Sequence, residues 1–260
     1  MRTCFSLGEK LIEKIPEYAP VFFDDKMVLY VNRSLHPKLV ESSELKLVNP
    51  FSLAKVPKDV ELNDHLEELK RILVLFPESK RVNHAITRLL FNAKRFEEAL
   101  PWAERFIKYH PDNPNSHYLL GSIYENSDAC DKAIEHYEAA MAFSGKKFKR
   151  ILNTQIGTCH YLQEDFASAY EYLWKGLNPY PDKVAQEDLY QLAFSAFVVG
   201  ETEESILLLK MLLHESSVEE QPIVTEARAL LQRIREEGNS TPTFLEWLWG
   251  QAKAILTGQA

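Results

Sequence analysis

The sequence predicts an all-α fold, an α-solenoid of about four to five stacked helix–turn–helix repeats with a small N-terminal appendage. Glycine is scarce, at 9 of 260 residues, which is about half of the usual content. Few glycines leave few positions for tight hairpins or phosphate-binding loops, so many-stranded barrels and Gly-rich nucleotide folds are disfavoured. The other two observations are proline-marked loops and small residues, both of which recur at nearly constant spacing.

Three similar loops contain Pro77, Pro111 and Pro181, and each loop ends a predicted amphipathic helix. The first two prolines are 34 residues apart and the last two are 70 apart, which is two units of similar length. The small residues that share a position in these units are Ala99, Ala133, Ala169 and Ser205, at spacings of 34, 36 and 36. Small residues at a fixed period mark where paired helices approach each other closely.

The stretch from Asn113 to Ser144 resembles the tetratricopeptide repeat (TPR), a helix–turn–helix unit of about 34 residues. The residues that carry this resemblance are Leu120, Gly121, Tyr124, Ala133, Tyr137 and Ala140. The neighbouring units match the pattern more loosely, through Phe96 and Pro111 before it and through Gly157 and Gly176 after it. The resemblance implies stacked helical pairs whose first helices line a surface for extended protein ligands.

The predicted domains follow from this register. Residues 1–58 form an N-terminal appendage with a short helix at Leu7–Ile15 and a β-hairpin within Val21–Val31. Residues 59–79 form a half repeat with one helix at Asp59–Leu75, and the full repeats cover about 80–113, 114–149, 150–185 and 186–220. Residues 221–260 form a C-terminal helical pair that acts as a cap, with its last helix at Thr243–Leu256.

The charge and the cysteines limit the partners and the compartment. The net charge of -8 disfavours nucleic acid as a partner. Cys4, Cys130 and Cys159 are too few and too irregularly spaced for a disulfide framework, which favours a reducing compartment. No apolar run is long enough to span a membrane. We therefore expect a cytoplasmic protein.

The motifs of common enzyme classes are absent from the sequence, including HExxH, GxSxG, GxGxxG and the P-loop. Cys159 and His160 are the only tight Cys/His pair, but neighbouring residues on a helix point about 100° apart and make poor co-ligands for one metal. The prediction is a non-enzymatic chain with no catalytic residues, no metal and no cofactor. The basic run Lys146–Arg150 is interpreted as a solvated loop between repeats.

Residues beside the packing stripe of each first helix are expected to face a partner-binding groove. They are Arg81, His84, Arg88 and Asn92 in the first full repeat, Tyr118, Ser122, Glu125 and Asn126 in the second, Thr154, Thr158 and Tyr161 in the third, and Tyr190, Phe194 and Phe197 in the fourth. The predicted partner is an extended peptide or a helix of another protein, which makes the chain an interaction scaffold or a chaperone-like adaptor. Charge reversal at Arg81 and Arg88 is expected to weaken partner binding in a salt-dependent way.

At the positions of the two-carboxylate clamp that some TPR proteins use for acidic peptide tails, only Arg88 is cationic. Chaperone-tail recognition of that type is therefore not expected.

The aromatic residues of the fourth repeat form a second apolar stripe that something must cover. Three alternatives would bury this stripe. It could pack against a bound partner or against the chain's own last helix, which carries Phe244, Trp247 and Trp249, or it could belong to a single enlarged terminal core. If the last helix fills the groove, the alternative function is a structural subunit that assembles into a homo-oligomer through those C-terminal aromatic residues.

Overall fold

The computed structural model describes residues 15–178, 184–215 and 221–237. The chain divides into two compact units, the first ending at Leu119 and the second beginning at Leu120. The strands are β1 (Tyr18–Phe23) and β2 (Val28–Asn32), and the helices of the first unit are α1 (Pro37–Ser43), α2 (Leu62–Leu75), α3 (Lys80–Asn92) and α4 (Phe96–Tyr109). Helix α5 (Pro114–Glu125) contains the division. The second unit continues with α6 (Cys130–Ala142), α7 (Lys146–Leu162), α8 (Phe166–Leu177), α9 (Gln186–Val198), α10 (Thr202–Glu215) and α11 (Pro222–Glu237).

The predicted hairpin is confirmed. β1 and β2 pair in antiparallel fashion, with an irregularity between Pro20 and Phe22. The Asp24 carboxylate accepts hydrogen bonds from the backbone N–H groups of Lys26 and Met27, both at 2.7 Å, and so closes the turn. A two-stranded sheet needs packing against other elements to be stable, and α1 contacts both strands.

The appendage is fixed to the repeats by acidic side chains that accept backbone hydrogen bonds. Glu68 on α2 is buried, and its carboxylate accepts from the N–H groups of Lys46, Leu47 and Val48 at 2.7–2.8 Å. Asp25 in the hairpin turn accepts from the Ser79 hydroxyl and from two N–H groups at the start of α3. A carboxylate at a helix N-terminus satisfies unpaired donors and complements the helix dipole.

The four helical pairs α3–α4, α5–α6, α7–α8 and α9–α10 share one turn geometry. One residue in each turn has a positive φ: Lys94 (56°), Asp128 (56°), Glu164 (66°) and Gly200 (96°). The next residue donates its N–H to a carbonyl five positions earlier, as Arg95 does to Leu90 at 3.0 Å. This is the Schellman pattern that ends helices. These residues are 34, 36 and 36 apart, the same spacings as the small residues of the sequence repeat.

Glycine allows the helices of the second unit to approach closely. A Cβ at Gly157 would lie 2.8 Å from the backbone N of Leu173, and one at Gly176 would lie 2.8 Å from the backbone N of Thr154. These contacts bring α7 and α8 together, as the sequence predicts. The main core of this unit runs from Tyr161 through α8, α9 and α10 to Ile234 of α11.

Two helix starts differ from the prediction. The half-repeat helix begins at Leu62 rather than Asp59. The basic run Lys146–Arg150 forms the first turns of α7 and is not a loop, because Gly145 precedes the helix in an extended conformation and Arg150 donates hydrogen bonds to the carbonyls of Gly176 and Leu177. The predicted helix at Thr243–Leu256 and all of Leu7–Ile15 except its last residue lie outside the described residues.

Candidate partner-binding surfaces

In the first unit, four predicted site residues line one open cleft of about 420 Å³ between α3 and the loop at residues 51–55. We call this the basic cleft; its residues are Phe51, Ser52, Leu53, Ala54, Lys55, Arg81, His84, Ala85, Arg88 and Asn92. Helical spacing places the residues of α3 on one face, as predicted. The appendage supplies the opposite wall, which the sequence does not reveal.

Arg81 is mainly a structural residue of this cleft. Its guanidinium donates to the carbonyls of Asp24 and Pro50 and lies 5.9 Å from the centre of the Phe23 ring. Arg81 therefore anchors the appendage to α3. Reversing the charge of Arg81 would therefore release these contacts in addition to any effect on a bound partner.

His84 and Arg88 are better placed for a ligand. Arg88 is exposed, and among the described residues its guanidinium has no hydrogen-bond or ion-pair partner. The pKa of His84 lies below its ordinary value, first because the half-buried ring is desolvated and then because Arg88 and Lys80 repel the charged form. Asn92 is exposed one turn further along, and Tyr118 of α5 is half-buried.

In the second unit, several predicted groove residues are engaged with their own helices. Ser122 is buried, and its hydroxyl lies 3.2 Å from the hydroxyl of Tyr137 on α6. Asn126 donates to the Ser122 carbonyl, and Thr154 is buried and donates to the Arg150 carbonyl. These polar groups shape the first helices, but they leave few unsatisfied donors or acceptors for a ligand.

Thr158 differs because it joins two first helices. Its hydroxyl donates to the Gln191 side chain at 2.9 Å, linking α7 to α9. Beside this link is a second cleft of about 280 Å³, which we call the inner cleft; its residues are Lys147, Arg150, Ile151, Thr154, Gln155, Gly176, Leu177, Val184, Ala185 and Asp188. Ile151 is 43% exposed, which is unusual for an isoleucine in the interior of a helix.

Two carboxyl groups on the first helices of the second unit have raised pKa values. Burial raises the pKa of Glu125 to about 6, opposed by a hydrogen bond from the Tyr137 hydroxyl and assisted by the charge of Asp188. Burial, followed by the charge of Glu187, raises the pKa of Asp188 to about 6. Because Glu125 responds to the charge of Asp188, a cationic group near Asp188 would favour the ionised form of both carboxyl groups.

The aromatic residues of the fourth repeat do not line an open groove. Phe194 is 1% exposed and Phe197 is 5% exposed, and Tyr161 and Tyr190 are also buried in the core of the second unit. The ring of Phe194 lies 5.8 Å from Tyr161 and 5.3 Å from Phe166. The chain itself covers this stripe, so these four residues are corrected from a partner surface to core.

Sequence reasoning missed Asp188, because it chose the wrong face of α9. Every residue from Leu189 to Phe197 is buried, so no single apolar stripe identifies the inward face of this helix. Asp188, one residue before this buried stretch, is half-buried and lines the inner cleft. On α7, Ile151 precedes Thr154 by three residues and Gln155 precedes Thr158 by three residues. Residues three apart share a helix face, so this spacing could have identified Ile151 and Gln155 as site residues.

The C-terminal residues Phe244, Trp247 and Trp249 lie outside the described residues. Within the described ranges, no group of three or more His, Cys, Asp or Glu side chains is arranged to hold a metal ion. In the same part of the chain, no helix combines the length and the apolar character that crossing a membrane requires.

Several solved structures similar to this chain are described as TPR proteins. One is YrrB, described as a TPR protein with an unusual peptide-binding site, with a TM-score of 0.56 and 15% identity over 74% of this chain and 94% of that one. Another is the C-terminal part of a TPR repeat-containing protein from Cytophaga hutchinsonii, with a TM-score of 0.54 and 14% identity over 76% and 75% of the two chains. MamA matches with a TM-score of 0.52 and 15% identity over 58% of this chain and 81% of that one. The chain therefore has the all-α TPR fold, and the predicted fold class is confirmed.

The sequence comparisons are more limited. No protein-family model matches the sequence. Protein O-mannosyl-transferase Tmtc3 of Drosophila melanogaster is 28% identical over an alignment of 116 residues, and the match covers 42% of this chain. The match covers 12% of the length of that relative.

Proposed function

We propose that the chain is a non-catalytic protein-interaction module, an adaptor or chaperone-like scaffold that binds an extended peptide or helix of a partner protein. The observation that carries this proposal is the inner cleft, where exposed Ile151 and half-buried Asp188 lie on adjacent first helices of a TPR fold. Peptide ligands commonly use an apolar anchor for affinity and a charged contact for specificity. A cytoplasmic location is part of the proposal, and it rests on the small number of cysteines in the sequence.

The partner segment that suits this surface has an apolar side chain close to a Lys or Arg. The apolar side chain would pack on Ile151, Leu177 and Val184, which line the cleft together. The cation would approach Asp188, which lines the cleft, and Glu125 would add negative charge from outside the lining, since burial raises the pKa of both carboxyl groups. A cation replaces part of the lost solvation and lowers both pKa values.

The test is selection of 12-residue peptides from a random phage-displayed library, followed by affinity measurements on the best peptide by fluorescence polarisation. We expect Ile151→Arg and Asp188→Lys each to weaken binding by at least about tenfold, or roughly 1.4 kcal/mol. The matched controls are Leu207→Arg, at a residue 56% exposed on α10, and Glu135→Lys, at an exposed residue on α6. Both controls should leave the affinity unchanged.

Binding should also weaken as the pH falls through about 6, because protonation removes the two negative charges. Failure to select any peptide, or equal affinity of Ile151→Arg and the wild type, would contradict the proposed site.

A further inference from the structure

We infer that the basic cleft of the first unit binds a phosphate monoester. This site is separate from the inner cleft, and the inference does not depend on the proposed peptide function. The chain carries a net charge of -8, yet none of the described residues that line this cleft is Asp or Glu. Four of them are basic: Lys55, Arg81, His84 and Arg88. A concentration of positive charge in an acidic protein points to an anionic ligand.

The carboxylates near the basic cleft neutralise only part of its positive charge. Asp24 is used within the hairpin turn, and Asp25 accepts hydrogen bonds from Ser79 and the start of α3. Asp25 offsets the charge near Arg81, whose guanidinium is also bound to two carbonyls. Among the described residues, the side chains of Lys55 and Arg88 have no hydrogen-bond or ion-pair partner. The cleft thus presents two uncompensated cations.

The number and type of donors favour a phosphate dianion over a carboxylate. Arg88 offers a planar pair of N–H donors suited to two oxygens of one phosphate, and Lys55 offers a compact ammonium charge. Burial lowers the pKa of His84, and the charges of Arg88 and Lys80 lower it further, so a bound anion would favour its protonated form. A dianion matches two fixed cations and permits a third on His84, whereas a carboxylate neutralises only one. The Asn92 amide and the Ser52 hydroxyl add neutral donors to the lining.

The wall of the cleft is fixed independently of the ligand. The loop at residues 51–55 is held by the contact from Arg81 to the Pro50 carbonyl and by the His65 ring, whose Nε2 is 2.9 Å from the Leu53 carbonyl. His65 is buried and contacts the Leu47 carbonyl through Nδ1 at 3.1 Å. Binding therefore needs little rearrangement, which favours affinity for a small anion.

The experiment is titration of the full chain with inorganic phosphate, followed by NMR chemical shifts at constant ionic strength. We expect saturable shifts at His84 with a dissociation constant of about 1 mM or tighter, and acetate should bind at least about tenfold more weakly. Arg88→Gln and Lys55→Gln should each weaken phosphate binding by a similar factor. The control is Lys108→Gln, which removes an exposed positive charge of α4 outside the cleft.

A second readout is the pKa of His84, which should rise when phosphate is added to the wild type and stay constant in Arg88→Gln.

A second ligand distinguishes a phosphorylated protein segment from a small phosphate ester. This ligand is a terminally blocked peptide with one phosphoserine between alanines, and its affinity is compared with that of inorganic phosphate. Affinity at least about tenfold above that of inorganic phosphate assigns the site to a phosphorylated protein segment, and equal affinity assigns it to a small phosphate ester. Non-saturating shifts, equal binding of acetate, or undiminished phosphate binding by Arg88→Gln would each overturn the inference.

Discussion

Single residues of the second unit determine how closely its helices pack. At Gly157, an added Cβ would meet the Leu173 side chain at 2.7 Å and its backbone N at 2.8 Å. A side chain can rotate away from such a contact, but the backbone N of Leu173 cannot. The steric clash with an added Cβ is therefore relieved only if α7 and α8 move apart. Gly145 provides the contrast, since nothing lies within 4 Å of a Cβ there. The two positions separate a glycine needed for packing from one that is not.

Gly157→Ala should therefore destabilise the protein although alanine is the better helix former. Helix propensity favours Ala by about 1 kcal/mol, whereas overpacking costs about 1–3 kcal/mol, and the backbone contact places this site at the upper end. We expect a net loss of roughly 1–2 kcal/mol in the free energy of unfolding, measured by urea denaturation. Gly145→Ala should change it by less than about 0.5 kcal/mol, because the poorer N-cap that alanine provides is offset by the lower conformational entropy of alanine in the unfolded chain. Equal stabilities of the two variants would show that the close approach at Gly157 is not required.

At the scale of elements, one turn recurs in all four helical pairs, but glycine occupies its left-handed position only at Gly200. Lys94 and Glu164 adopt the same conformation with a Cβ, which is strained for residues of these types. Asp128 tolerates the left-handed region better. The turn is retained because its Schellman hydrogen bonds satisfy the carbonyl groups at the helix end.

Replacing the strained residues with glycine should stabilise the protein. The left-handed conformation costs a non-glycine residue about 1–2 kcal/mol, and the flexibility of glycine in the unfolded chain returns about 0.5–1 kcal/mol of this. We expect Lys94→Gly and Glu164→Gly each to raise the free energy of unfolding by roughly 0.5 kcal/mol, with a smaller gain for Asp128→Gly. Gly200→Ala should lower it by about 1 kcal/mol. Thermal and urea denaturation measure these changes, and a loss of stability in Lys94→Gly and Glu164→Gly would contradict the strain argument.

For the molecule as a whole, the sequence predicts what is periodic and misses what depends on distant contacts. The repeat register follows from residues such as Ala99, Ala133 and Gly157, because small side chains at fixed spacing have a direct packing meaning. The docking of the appendage through Glu68 joins segments about 20 residues apart, and no local pattern indicates it. The inward face of α9 was misjudged because burial extends around that helix.

The candidate sites were therefore predicted only in part. Helical spacing predicts that Arg81, His84, Arg88 and Asn92 share one face of α3, and these residues line the basic cleft, but the sequence does not predict the second wall at residues 51–55. In the second unit, Thr154 of the predicted groove lines the inner cleft, as does Asp188, which the sequence does not predict. Regular spacing identifies residues that share a helix face, but it does not identify the distant segment that lies opposite.

The raised pKa of Asp188 makes the stability of the folded chain depend on pH. The folded-state pKa of about 6 lies above the ordinary value of 3.8, so between these values the folded state binds a proton that the unfolded state has released. Burial of the charge thus costs stability above pH 6, and the cost disappears as the pH falls toward 4. Glu125, with a pKa of about 6, acts in the same direction.

Asp188→Asn should remove this penalty. We expect the variant to exceed the wild type in free energy of unfolding by roughly 1–2 kcal/mol at pH 7.5, after allowance for the partial exposure of the carboxyl group. The advantage should shrink steadily between pH 7 and pH 5, because the wild type itself becomes protonated over that range. Urea denaturation at several pH values measures the difference, and Glu135→Gln on the exposed face of α6 is the control that should show no such trend. A constant difference across the pH range would mean that Asp188 is well solvated, and it would also remove the electrostatic reason for a cationic partner at the inner cleft.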